Sequence, residues 1–164
     1  MTEKDDSHNL AALRARVTVA RESLARLPIF RPRHAGPPDP STGESWHRGN
    51  VLGHMGEMLP YWTDQIRRAK AGSGKMGRDE AGTAERRDGI DRGDAAGEAE
   101  LKRAVDRGLE GVLKLLEKLS PEDLERRVVF HNREGEREAR VGELLQTLVV
   151  GHVEDHLEQL ASLD

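Results

Sequence analysis

Near its C-terminal end the chain reads Gly151-His152-Val153-Glu154-Asp155-His156. Histidines four residues apart on a helix share a face, because four residues make slightly more than one turn. The flanking apolar residues Val141, Leu144, Leu145, Leu148, Val149, Val153, Leu157 and Leu160 recur at helical spacing. His152 and His156 therefore sit on or beside the stripe that faces the core. Imidazoles turned into a helical core need partners, which are hydrogen-bonding groups or a metal ion. The pair alone leaves both readings open. A third histidine, His54, lies between Val51 and Met58 on the apolar side of a different helical pattern. Three core-facing histidines on two helices favour the metal.

Neutral imidazole nitrogens suit zinc, nickel and related divalent ions. Three protein ligands leave an open position for water or substrate, whereas structural sites are usually closed by four. Neutral ligands leave the full double charge on the ion, which favours hydroxide or a thiolate in that position. Glu57 and Glu154 are the carboxylates close enough in sequence to orient a ligand ring or carry a proton. Glu57 is the candidate catalytic group. Glu154, on the far side of its helix from the two histidines, reads as a solvent-facing residue. The zinc-protease pattern is absent, since it needs Glu directly after the first His and here Val153 follows His152. No Ser or Lys is paired with a base, and there are no cysteines. Trp46, Tyr61 and Trp62 read as packing residues, with Tyr61 or Trp62 able to wall a pocket.

The elements that must hold these side chains are helices. Asp5-Asp6-Ser7 can cap a first helix from about His8 to Leu27, with Leu10, Leu13, Val17, Ala20, Leu24 and Leu27 as its stripe. Pro28 stops it, and Pro32, Pro37, Pro38 and Pro40 keep the following stretch extended. Arg31, Arg33 and His34 in that stretch read as solvated. The second helix opens at Ser45-Trp46 and runs to about Ala71, with a kink or bend expected at Pro60. Gly49, Gly53 and Gly56 within it suggest close approach of another backbone or of a ligand. Residues 72–97 are rich in glycine and charge and nearly free of apolar residues. They read as a long irregular connection that crosses one end of the bundle and touches the site. Gly72-Ser73-Gly74-Lys75 is not a phosphate loop, because the full pattern and a preceding strand are missing. A third helix spans about Glu98 to Leu119, and Ser120-Pro121-Glu122-Asp123 caps a short turn. Arg127 to His131 and Glu136 to Arg140 form a hairpin around Asn132-Arg133-Glu134-Gly135. The fourth helix runs from about Val141 to Leu160.

Four amphipathic helices predict an all-α chain, a four-helix bundle with long loops and one short β-hairpin, folded as a single domain over 1–164. Aromatic residues are only 3% of the 164, too few for a β core. The 30 acidic and 26 basic residues are interspersed, giving a net charge of −4 and no basic surface for nucleic acid. No apolar run is long enough for a bilayer, and the charged start Met1-Thr2-Glu3-Lys4 has no signal-peptide core. A cytoplasmic protein with no membrane partner is expected.

Ser45 to Met58 resembles the second helix of the DinB-like superfamily, and Gly151 to Leu160 resembles its last helix. That resemblance implies an up-down-down-up bundle in which one His of the second helix and a His-x-x-x-His pair of the last hold a divalent metal, commonly zinc or nickel. Residue by residue, these are His54, His152 and His156. It also implies a homodimer. Characterised relatives use low-molecular-weight thiols: mycothiol-dependent maleylpyruvate isomerase, and bacillithiol or mycothiol S-transferases, in which a metal-bound thiolate attacks an electrophile. The expected function is thus a metal-dependent enzyme, an S-transferase or a protein activating water. The alternatives are a mycothiol-dependent isomerase and a non-catalytic metal-binding or stress-related bundle.

Overall fold

The computed structural model describes residues 9–29 and 32–163. Asn9 opens the first helix, α1 (Leu10–Arg26), by accepting from the Ala11 amide. The caps expected at Asp5-Asp6-Ser7 lie outside the described residues. Helix α1 buries Leu13, Val17, Ala20 and Leu24, as its spacing predicts. Helix α2 (Arg48–Lys70) starts later than Ser45 because His47 is its cap. The ring Nδ1 of His47 accepts from the Gly49 amide at 3.0 Å, and Asn50 Oδ1 accepts from the His47 amide at 3.2 Å. The helix continues through Pro60 without interruption.

After α2 the chain departs from expectation. Residues 72–97 are not an irregular connection. They form a short strand, β1 (Lys75–Gly77), and a helix, α3 (Glu80–Ala95), whose N-cap Asp79 accepts from the Gly82 amide at 2.7 Å. Helix α3 lies along α2. It buries Gly82, Gly89, Ile90 and Gly93, so glycine rather than an apolar stripe makes the contact. A Cβ at Gly49 or Gly53 would collide with the carbonyl oxygens of Gly93 and Gly89. Gly49 and Gly53 thus serve close backbone approach, one of the two alternatives the sequence left open, whereas a Cβ at Gly56 would meet nothing nearer than the Ala104 side chain at 3.4 Å.

The next elements are α4 (Glu98–Lys118), α5 (Pro121–Glu125), β2 (Arg127–Asn132) and β3 (Gly135–Arg140). The expected hairpin is present: β2 and β3 pair antiparallel, with Asn132 opposite Gly135. Strand β1 adds parallel to β2, making a three-stranded sheet in the order β1-β2-β3. The last helix is continuous but changes pitch. It comprises α6 (Val141–Leu145), one wide π turn over Gln146–Val150, and α7 (Gly151–Ser162). The extra residue in the π turn lets Val149, Val150 and Val153 all face inward, while Leu148 and Leu157 are only partly buried.

The bundle is built from α1, α2, α4 and the last helix. Helix α4 and the last helix each lie against both α1 and α2, which occupy opposite corners. Arg21 pairs with Asp106 of α4 at 2.7 Å, and Arg16 pairs with Glu154 and Gln146 of the last helix. The proline-rich connection between α1 and α2 must therefore cross the bundle end. Two arginines fasten it. Arg33 donates to the carbonyls of Gly93 and Ala96 at 2.6 and 2.8 Å, capping the end of α3 rather than facing solvent. Arg48, 1% exposed, donates to Pro28 O at 2.6 Å and to buried Glu98 at 3.3 Å. No helix among the described residues is long and apolar enough to cross a membrane.

Candidate metal centre

His54 from the second turn of α2 meets His152 and His156 from the first turns of α7. One ring nitrogen from each lies within 4.8 Å of the others. Ring centroids are 5.4 Å apart for His54 and His152, 5.0 Å for His54 and His156, and 4.5 Å for the last pair. His54 and His156 are buried, and His152 is partly exposed, so the cluster opens on the His152 side. All three predicted ligands are brought together.

Burial forces the three rings to be neutral. It pushes His54 down to about 2, helped by the neighbouring His156 and His152 and by the positive charges of Arg86 and Arg78. Burial likewise takes His152 down to about 4, against a hydrogen bond to the Leu148 carbonyl. His156 is lowered by burial and partly held up by Gln159, whose Oε1 is 2.9 Å from His156 Nδ1. A donating Nδ1–H on His156 leaves Nε2 as its acceptor, and that nitrogen is buried with no partner among the described residues. Among the described residues the buried Nδ1 of His54 has no partner either. Orphaned buried nitrogens are costly. Three of these rings, neutral and converging, are a donor set that fits a divalent ion.

Around this centre the structure places groups of unequal legibility. Trp46 expected only as packing, forms a wall, its ring 5.2 Å from His54 and stacked at 6.0 Å on His156. Trp62 points instead into the core against Phe130. Tyr61 lies beneath Arg78, and its hydroxyl donates to Gly77 O at 2.9 Å. Gly77, at φ 149°, ends β1, and the chain passes from there into α3. Arg78 then grips both carboxylate oxygens of Glu57 at 2.7 and 2.9 Å. Glu57 Oε2 stands 4.0 Å from His54 Nδ1, beyond hydrogen-bond length. Burial raises the Glu57 pKa while Arg78 opposes the shift. Glu154 pairs with Arg16 away from the histidines. Gln159, Leu148 and Arg78 were missed from sequence. Gln159 alone left a trace, a polar residue one turn beyond a core histidine. Residues 72–97 do touch the site, but through Arg78 and a helix.

Fold and cluster together define a helical bundle whose core carries three histidines able to hold a metal ion. The model of the DinB superfamily matches residues 10–160, and the chain belongs to that family. No curated protein and no solved structure matches the chain.

Proposed function

We propose that His54, His152 and His156 hold a zinc or nickel ion, and that the protein is a metal-dependent enzyme acting on a low-molecular-weight thiol such as mycothiol, or on water. The S-transferase type is the leading form. The observation that carries this reading is the pair of buried nitrogens on His54 and His156 that find no partner among the described residues. A divalent ion with three nitrogen ligands supplies an open Lewis-acid position that lowers the pKa of a thiol or water placed there.

The chain's own residues supply the rest. Gln159 and the Leu148 carbonyl fix the orientation of His156 and His152, as groups behind metal ligands commonly do. Trp46 shields one side from water. Glu57, partly buried and positioned by Arg78, is the group proposed to hold a proton beside the reacting atoms. The other substrate is a small electrophile, and the family resemblance implies a homodimer. The test is to incubate zinc- or nickel-loaded protein with mycothiol and 1-chloro-2,4-dinitrobenzene and measure the conjugate by mass spectrometry. Conjugation that is lost in His54→Ala supports the proposal. Absence of turnover with every cellular thiol, in protein that retains its metal, refutes the thiol-transferase form and leaves water activation and the non-catalytic metal-binding alternative.

A further inference from the structure

Two arginines lend positive charge to the histidine cluster, and they are not equivalent. Arg78 spends its donors on the two oxygens of Glu57 and on Gly82 O. Arg86, on α3, makes one hydrogen bond, from Nη2 to Glu44 Oε2 at 3.1 Å. Its Nε and Nη1 meet no protein acceptor among the described residues. The guanidinium lies over the Trp46 ring, 5.5 Å from the centroid. That same ring rests against His54 and His156. Arg86 is thus a neighbour of the cluster's wall, with 22% of its side chain open to solvent. All three histidines feel its charge. The nearby carboxylates do not cancel it: Glu57 is taken by Arg78, and Glu44 is itself 38% exposed and engages a single Arg86 nitrogen.

A guanidinium held over an aromatic ring and keeping spare donors matches the planar fork of a carboxylate. Because Glu44 offsets part of its charge, a singly charged anion suits it better than a phosphate dianion. We infer that the molecule occupying this site carries a carboxylate that pairs with Arg86 while its reactive group faces the three histidines. This rests on the proposed function above, and it narrows the substrate class for that site to a thiol bearing a free carboxylate, which mycothiol, with its cysteine carboxyl in amide linkage, does not have.

Calorimetric titration of zinc-loaded protein with 3-mercaptopropionate, 3-mercapto-1-propanol and malonate tests it. A hydrogen-bonded charge pair predicts that the acid binds about 10- to 100-fold tighter than the alcohol. Arg86→Gln should abolish that preference without changing the alcohol's affinity or the zinc content, and Arg86→Lys should keep part of it. Equal binding of the two thiols to the wild type, or an undiminished preference in Arg86→Gln, overturns the inference. If neither thiol binds, the thiol reading fails and malonate decides. Malonate binding that depends on Arg86 sustains the carboxylate site, and its absence overturns it.

Discussion

The seating of α3 on α2 can be tested with one methyl group. In Gly53→Ala the new Cβ overlaps the carbonyl oxygen of Gly89 and lies 3.0 Å from Gly93 N and 3.2 Å from Gly93 Cα. These are backbone atoms, so no rotamer change relieves them. The helices must part by roughly 1 Å to restore ordinary contact. Alanine also has a better helix propensity than glycine, by about 0.5–1 kcal/mol. Overpacking of this kind costs about 1–3 kcal/mol, so the clash wins and Gly53→Ala is destabilised by about 1–2 kcal/mol net. For a chain of this size that lowers Tm by roughly 2–8 °C. Gly111, in α4, has no atom within 4 Å of its would-be Cβ. There only the propensity gain remains, and Gly111→Ala should be stabilised by about 0.5–1 kcal/mol. Differential scanning calorimetry of both variants gives the two signs, and hydrogen exchange locates the loosening of Gly53→Ala in α3. A Gly53→Ala protein as stable as the wild type would refute the glycine-mediated packing of these helices.

Removing Arg48 leaves buried Glu98 with only the more distant Arg33, at 4.0 Å, as a cation partner among the described residues; Arg48→Met should cost about 3–5 kcal/mol in a urea melt, and Arg48→Met/Glu98→Gln should regain much of it. Asp123 is held below its usual value by the Ser120 amide and by Lys70. Its contribution is therefore present above the unfolded pKa near 3.8 and is lost as pH falls through the lower folded value. Asp123→Asn should cost about 0.5–2 kcal/mol at pH 7 and give a shallower acid limb in stability against pH. Gln159→Leu leaves His156 Nδ1 without its acceptor, and zinc affinity measured by chelator competition should fall about 10- to 100-fold.

The histidine site was legible because its ligands follow helical spacing on strongly apolar stripes. Val51, Met55 and Met58 fix the face of α2 that carries His54, and Val149, Val153 and Leu160 fix that of α7. The hairpin was legible through its β-branched run and its Asn132-to-Gly135 turn. Helix α3 was not, because Ile90 is its one buried large apolar residue. Its docking rests on backbone contact at Gly89 and Gly93 and on polar clamps such as Asn50 Nδ2 to Ile90 O at 2.9 Å. Such contacts leave no periodic signal. Arg78, Arg86 and Trp46 reach the site only because α3 and the α1–α2 connection fold over it, so their place depends on tertiary structure.

The central claim is that the three histidines bind a metal. The direct measurement is the metal content of untagged protein by mass spectrometry, together with thermal stability before and after chelation. Metal binding by this cluster predicts about one zinc or nickel ion per chain, its loss in His54→Ala, His152→Ala and His156→Ala, and a lower Tm on chelation. At free zinc 100-fold above Kd the recovered stabilisation is about 2.7 kcal/mol. Protein that carries no metal and gains no stability from added zinc or nickel would contradict it.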